Sequence, residues 1–372
     1  MAAHALPPPA IVQPGPHEAS FGLVTGTAAR GTTRLVIRVG SSVLADRPLR
    51  GRSFSVRVAL PRRDVRLRVT GYDARGRAAS AEVGPVFGLP RSAEPRSVTD
   101  REDAVLGRSV RSLASAFPGT AGVYVQSLTT GAGAAWNARA QFPAASTLKL
   151  GIAAAALRAH EGKPAEGSRV DALLRSMLWY SDNAAANALE VWLAGSTSGG
   201  SARVNALFAE LGLRDTIMYG GYETRTPQGP IPVRIESQPA FGRGKHTTAS
   251  DLAGLARAVW LAAEGEGPLA ERARGAFTPA DGRYLLYLLA HVRDPGKLDR
   301  FVGGQAGVSV LHKAGWVAAA RHDAGLVFWP GGVYVAAVLT YGRGVGVASD
   351  VLAGRVAEAA LERFAAVNPR TG

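Results

Sequence analysis

The sequence predicts an α+β domain preceded by a small all-β domain. Three observations carry this reading. Charged and apolar residues alternate with period two between residues 20 and 89, a block of helical spacing fills the middle of the chain, and strand-like runs return before a last amphipathic stretch. A length of 372 residues allows two cores, and 47% hydrophobic against 19% charged residues is the balance of a globular chain.

Residues 1–16, with proline at 7, 8, 9, 14 and 16, read as a flexible leader without the apolar core of an export signal. Residues 17–90 read as an immunoglobulin-like β-sandwich. Its strands are Arg34–Val39, Ser53–Val58 and Val65–Val69, apolar on one face, charged on the other and parted by turns such as Asp73-Ala74-Arg75-Gly76. Residues 91–104 form a linker, and 105–372 the α+β domain. There the spacing predicts a helix over Val105–Phe117, stopped by Pro118-Gly119, then strands at Gly122–Val125 and Ala134–Trp136. Helices follow from near Ser146 to Leu157 and over Arg169–Trp179, Asn183–Leu193, Ser201–Leu211 and Thr248–Ala263. Strands at Val308–His312, Asp323–Trp329 and Val333–Tyr341 and a helix over Val351–Ala366 close the chain. An antiparallel sheet drawn from both ends of the domain, with a helical lobe inserted, is implied.

Cysteine is absent, which removes disulfides, thiolate metal sites and cysteine nucleophiles together; no metal or cofactor is expected. No run reaches the roughly 18 apolar residues a membrane span requires. The net charge is +14, half of it in residues 1–104, where 16 Arg face 9 Asp and Glu. These arginines are scattered, without a dense run or interleaved aromatics, so nucleic acid is not an expected partner. On the sandwich they read as a solvated face or as a surface for an anionic envelope polymer. Lysine occurs only at 149, 163, 245, 297 and 313, so its placement is informative.

His-Glu-x-x-His, Gly-x-Ser-x-Gly and P-loop patterns are missing, since Gly244-Lys245 is followed by His246. What remains is Ser146-Thr147-Leu148-Lys149 after Phe142-Pro143-Ala144-Ala145. The helix start favours an alkoxide at Ser146, and Lys149, one turn on, can take its proton if burial lowers its pKa. Alone, the pair is better explained by a capping serine and an exposed lysine. Its company is Tyr180-Ser181-Asp182-Asn183 and, on a strand, His312-Lys313-Ala314-Gly315.

In this order the motifs resemble those of the penicillin-recognising serine hydrolases, nearest the class A β-lactamases, over residue 105 to the C-terminus. The resemblance implies a β-lactamase/transpeptidase-like fold and these roles. Ser146 is the acylated nucleophile and Lys149 its proton acceptor. Ser181 passes a proton to the leaving nitrogen, Asn183 orients substrate and Lys149, and Asp182 braces the loop. Lys313, with Gly315 in the same motif, meets the substrate carboxylate, and the backbone N–H groups of Ser146 and Trp316 form the oxyanion hole. Arg321 either helps bind a carboxylate or is a surface residue.

The departures bear on mechanism. Ala314 stands where the family has a hydroxyl, Trp316 is bulky, and no Glu-x-x-x-Asn follows Asn183 to supply the deacylating glutamate. Glu223 and Glu236 are the candidates, with Glu223 preferred because Gly220-Gly221 lets its loop fold back toward the nucleophile. The expected activity is a secreted or periplasmic, monomeric acyl hydrolase acting on β-lactams, with slow deacylation. A D,D-peptidase (a penicillin-binding protein acting on cell-wall peptide) or an esterase is the alternative, and an inactive wall-binding protein the reading from another class.

Overall fold

The computed structural model describes residues 5–223, 244–272 and 275–367. The chain divides into two compact units, residues 1–94 and 95–372. Unit one holds β1 (Ala10–Gln13), β2 (Glu18–Ser20), β3 (Leu23–Thr27), β4 (Thr32–Val39), β5 (Ser42–Pro48), β6 (Ser53–Arg57), β7 (Asp64–Asp73) and β8 (Ala78–Gly88). They form a sheet of order β1-β3-β6 and another of order β2-β8-β7-β4-β5. Val24 and Phe54 of the smaller sheet share one buried cluster with Leu35, Ile37, Leu67 and Val69 of the larger, so the unit is a two-layer sandwich.

Two features depart from expectation. The leader foreseen over 1–16 contains strand β1, an edge strand paired with β3; its flanking prolines are tolerated because an edge residue does not need its N–H for the ladder. β8 is a full strand that the alternation did not reveal, because Gly84-Pro85 interrupts it at the point where its register with β7 shifts. Several outward arginines carry partners, among them Arg34 with Asp46, Arg57 with Glu94 and Arg68 with Glu82.

Unit two begins with β9 (Arg101–Glu102), α1 (Ala104–Ser115), β10 (Thr120–Ser127), β11 (Ala132–Trp136) and β12 (Phe142–Pro143). It continues with α2 (Lys149–His160), α3 (Arg169–Trp179), α4 (Asn183–Ala194), α5 (Thr197–Leu211), β13 (His246–Thr247), α6 (Ala249–Ala262), α7 (Gly267–Arg272) and α8 (Pro279–Ala290). β14 (Ser309–Val317), β15 (Ala320–Trp329), β16 (Gly332–Tyr341) and α9 (Gly346–Val367) complete it. Six strands make one sheet, β14-β15-β16-β10-β11-β9, so strands from both ends of the unit meet at the β16–β10 pair.

α1 and α9 cover one face: Val110, Val356 and Phe364 lie in one cluster with Val125, Val338 and Trp329. α6 packs on β10, β15 and β16, and α2, α3, α4, α5 and α8 build the lobe. Every residue of α2 from Lys149 to Leu157 is buried, which makes it the lobe's central helix. α8 was not anticipated, although Thr278, Pro279 and Asp281 form a capping box with proline in the first turn. No described helix is long and apolar enough to cross a membrane.

Candidate active site

The turn that carries Ser146 is held from three sides. Phe142 and Pro143 pair with Thr247 and His246, and the Ala144 N–H donates to the Lys245 carbonyl at 3.1 Å. From β15, His322 donates Nε2–H to the Pro143 carbonyl (2.6 Å) while its Nδ1 accepts from the Thr340 N–H (3.1 Å). Burial pushes His322 down to about 4, so it remains neutral. Thus clamped, the chain takes φ +48° at Ala145 and enters a short 3₁₀ turn, Ala145–Leu148, that runs into α2. A left-handed non-glycine residue costs about 1–3 kcal/mol and persists where the surroundings enforce it. Here it sets the half-buried Ser146 at the start of the lobe's central helix.

Lys149, fully buried, donates from Nζ to the Ser181 carbonyl and to Asn183 Oδ1 (2.6 Å), and lies 3.4 Å from Ser181 Oγ. Ser181 can present both oxygens to the amine because it, too, is left-handed, with φ +58°. Lys313 reaches Ser181 Oγ at 3.0 Å from the sheet side and also donates to the Ala314 carbonyl at 2.8 Å. Asp182 caps α4, accepting from the N–H groups of Ala184 (2.8 Å) and Ala185 (3.3 Å), and takes a third bond from Ser176 Oγ (2.8 Å).

Burial and then the neighbouring Lys313 charge lower Lys149 to about 7, so near neutral pH much of it is a free amine. Burial also lowers Lys313, to about 8, against the opposing pull of Asp294 and Asp323. β14 passes directly against the serine turn. A side chain on Gly315 would place its Cβ 2.6 Å from the Ser146 nitrogen and 2.8 Å from that of Thr147, so only glycine allows this approach. The next residue, Trp316, leaves its side chain 64% exposed.

Two expected site residues fall elsewhere. Arg321 points to α9, where Nε and Nη2 meet the Asp350 carboxylate at 2.6 and 2.8 Å, while its neighbour His322 faces the serine turn. Its guanidinium is therefore engaged on the far face of the sheet. Glu223 is an exposed residue whose backbone carbonyl accepts from Asn183 Nδ2 at 2.7 Å and whose charge acts on Lys245 rather than beside the serine. Glu236 lies outside the described residues.

The residue turned inward is Tyr222, whose ring centroid is 4.7 Å from Lys149 Nζ and 4.6 Å from Lys245 Nζ. Side chains of other elements hold the backbone around it. Asn205 bonds the Met218 N–H (2.7 Å) and carbonyl (2.8 Å), Ser201 the Gly220 carbonyl (3.1 Å), Lys245 the Gly221 carbonyl, and Asn187 both the N–H and the carbonyl of Tyr222. Beneath lies Glu190, wholly buried against Gly200 of α5 and bonded to Ser201 Oγ at 2.7 Å; burial raises it to about 7.

Tyr222, Lys245 and His322 escaped the sequence reading. For Lys245 a signal existed: lysine is scarce in this chain, and this one makes a third in the site after Lys149 and Lys313.

A buried amine whose proton is easily lost, one helical turn from a serine, can do the chemistry of a serine hydrolase, and the sheet with its inserted helical lobe is the β-lactamase/transpeptidase-like fold. The family described as the beta-lactamase enzyme family matches residues 105–168 and 160–364, and the chain belongs to it. It is a hydrolase of the serine β-lactamase type.

Among solved structures, PBP-A is similar at 24% identity, with 72% of this chain and 98% of that chain covered and a TM-score of 0.55. A β-lactamase from Sphaerobacter thermophilus is similar at 22% identity over 72% of this chain and 99% of that one, with a TM-score of 0.54. An ancestral class A β-lactamase is similar at 22% identity over 70% of this chain and all of that one, also with a TM-score of 0.54. No curated protein matches the chain.

Proposed function

We propose that the protein forms an acyl-enzyme on Ser146, with β-lactams as its substrate class and slow release of the acyl group. The observation that carries this reading is Lys149, which burial and Lys313 leave substantially unprotonated near neutral pH, one turn from the serine. In the mechanism that follows, Lys149 takes the Ser146 proton as Oγ attacks the carbonyl. The N–H groups of Ser146 and Trp316 receive the developing oxyanion, and Ser181, bonded to Lys313, delivers a proton to the leaving nitrogen and regains one from the Lys149 ammonium, whose Nζ lies 3.4 Å from its Oγ. Lys313 attracts the substrate carboxylate. Ala314 offers no hydroxyl there, a loss of about 1–2 kcal/mol of substrate binding.

A second reading, that of a penicillin-binding protein or D,D-peptidase, is favoured by Tyr222. Its ring, and not a carboxylate, stands against Lys149, which agrees with slow release of an acyl group. One structure of a PBP-A variant is an acyl-enzyme complex with penicillin G. Cell-wall peptide belongs to the cell envelope and β-lactams meet their targets there, and there we place the protein, secreted or periplasmic. The excess of 16 Arg over 9 Asp and Glu in residues 1–104 supports an anionic envelope polymer as partner of the sandwich. Polymer binding should then weaken steeply as salt is added.

Intact mass followed over time after mixing with benzylpenicillin tests the main proposal. A single adduct that maps to Ser146 and decays slowly is expected. No adduct at all, or one on another residue, would overturn it. Turnover of a chromogenic cephalosporin separates the β-lactamase from the penicillin-binding reading.

A further inference from the structure

Lys245 lies outside every motif that defines the site, yet it joins that site's two halves. Its backbone carbonyl accepts from the Ala144 N–H, two residues before the nucleophile, and its ammonium donates to the Gly221 carbonyl and sits 4.6 Å from the Tyr222 ring centroid. The same ring lies 4.7 Å from Lys149 Nζ. Two ammonium groups thus share one aromatic ring in a place where both lysines are buried. The Tyr222 hydroxyl, also buried, has no hydrogen-bond partner among the described residues, so no bond to that hydroxyl explains the ring's position.

We propose that Lys245 is a positioning residue for acylation, acting on Lys149 through the shared ring of Tyr222. This deepens the acyl-enzyme reading of Ser146 and rests on it. A ring has one quadrupole to offer, and a second cation on it leaves less stabilisation for the first. Like charges in a dry site also repel far more strongly than in water. With Lys245 charged, the protonated form of Lys149 is disfavoured and the free amine is presented to the serine.

The other groups around Lys149 are Lys313 from β14, which acts in the same sense, and Asp182 at the head of α4, which opposes it. The uncharged Ser181 and Asn183 oxygens complete its surroundings. Burial lowers Lys245 from the ordinary lysine value, and Glu190 of α4 and then Glu223 oppose that by favouring its ammonium form. These two carboxylates thus favour a positive charge on Lys245, whereas Lys313 disfavours one on Lys149.

The experiment measures the acylation rate of the full chain by benzylpenicillin against pH, for the parent, Lys245→Met and Lys245→Arg, with melting temperature as a control for folding. In the parent the rate should rise through about pH 7 as Lys149 loses its proton. Lys245→Met should acylate about tenfold more slowly near pH 6 and like the parent near pH 9, because its inflection moves up by about one unit. Lys245→Arg keeps the charge and should keep the parent inflection. A uniform loss at every pH in Lys245→Met indicates structural support alone and overturns the proposal, as does an unshifted profile.

If the Met variant does not fold, the Arg variant still decides, since an inflection displaced by one unit or more there would overturn the role of charge. The scarcity of lysine gives an independent readout: carbon-13 labelling at Cε yields five resolvable lysines, and Lys149 should titrate with the kinetic inflection. Failure of the acyl-enzyme reading is distinct, because then the parent itself forms no adduct at any pH.

Discussion

The two walls around Ser146 were assembled by different means. One wall, Phe142–Lys149 with Ser181–Asn183 and Lys313–Trp316, rides on regular elements, α2, α4 and β14, and its side chains meet one another directly. The other, residues 217–223, has almost no regular structure, and its backbone is held by side chains of α4, α5 and Lys245. The first wall carries groups suited to making an acyl-enzyme. The second carries, at the point nearest Lys149, a tyrosine ring in place of a group that could activate water. The difference teaches that, on the acyl-enzyme reading, the groups that would form the adduct and those that would govern its release sit on walls built by different means and joined where Tyr222 meets Lys149.

The largest effect should come from the first wall. Ser146→Ala should abolish the adduct altogether, and Lys149→Ala should slow its formation by about 10²–10⁴-fold, both read by intact mass. A variant of the second wall should act on release. Tyr222→Glu places a carboxylate over Lys149 and should shorten the acyl-enzyme lifetime at least about tenfold, measured by decay of the adduct, while slowing its formation near neutral pH because the new charge favours the Lys149 ammonium. An unchanged lifetime would show that the second wall does not govern release.

A smaller effect concerns stability. Lys149 in the folded chain is lowered from 10.5 to about 7, so between those values the unfolded chain binds the extra proton and stability rises with pH. Lys149→Met should therefore be more stable than the parent by on the order of a few kcal/mol at or below about pH 7, and the gap should shrink toward pH 10. Denaturant unfolding of both proteins across that range checks the sign. Least of all should Glu223→Gln matter, because the residue is exposed and its charge acts on Lys245 less than that of Glu190. An acyl-enzyme lifetime lengthened severalfold in that variant would return Glu223 to the role of base.

Much of the first wall was legible in the sequence because its information is local. α3 was placed at Arg169–Trp179 and observed there, and Asp182 before Asn183 marks a helix start by its side chain alone. The spacing of Ser146 and Lys149 states their proximity. The second wall resisted the same reading for a physical reason. Which of Tyr222 and Glu223 turns inward depends on Asn187 and Asn183, 35 and 40 residues distant, gripping the backbone between them. The Gly220-Gly221 pair correctly suggested a close return of the chain, but glycines do not say which neighbour faces the site. Arg321 failed differently: strand alternation fixes its face, and the register of β15 against β14 and β16 was not available from composition.

The scaffold around residues 217–223 has a consequence for how this protein can change over generations. A segment whose course is dictated by Asn187, Ser201, Asn205 and Lys245 does not depend on its own side chains for shape. Position 222 is then an interchangeable fitting: a new side chain arrives at the same place, at the same distance from the amine, with the rest of the lobe undisturbed. On the acyl-enzyme reading, a lineage holding this frame could shift between holding and releasing an acyl group by changing one residue, without first rebuilding the fold.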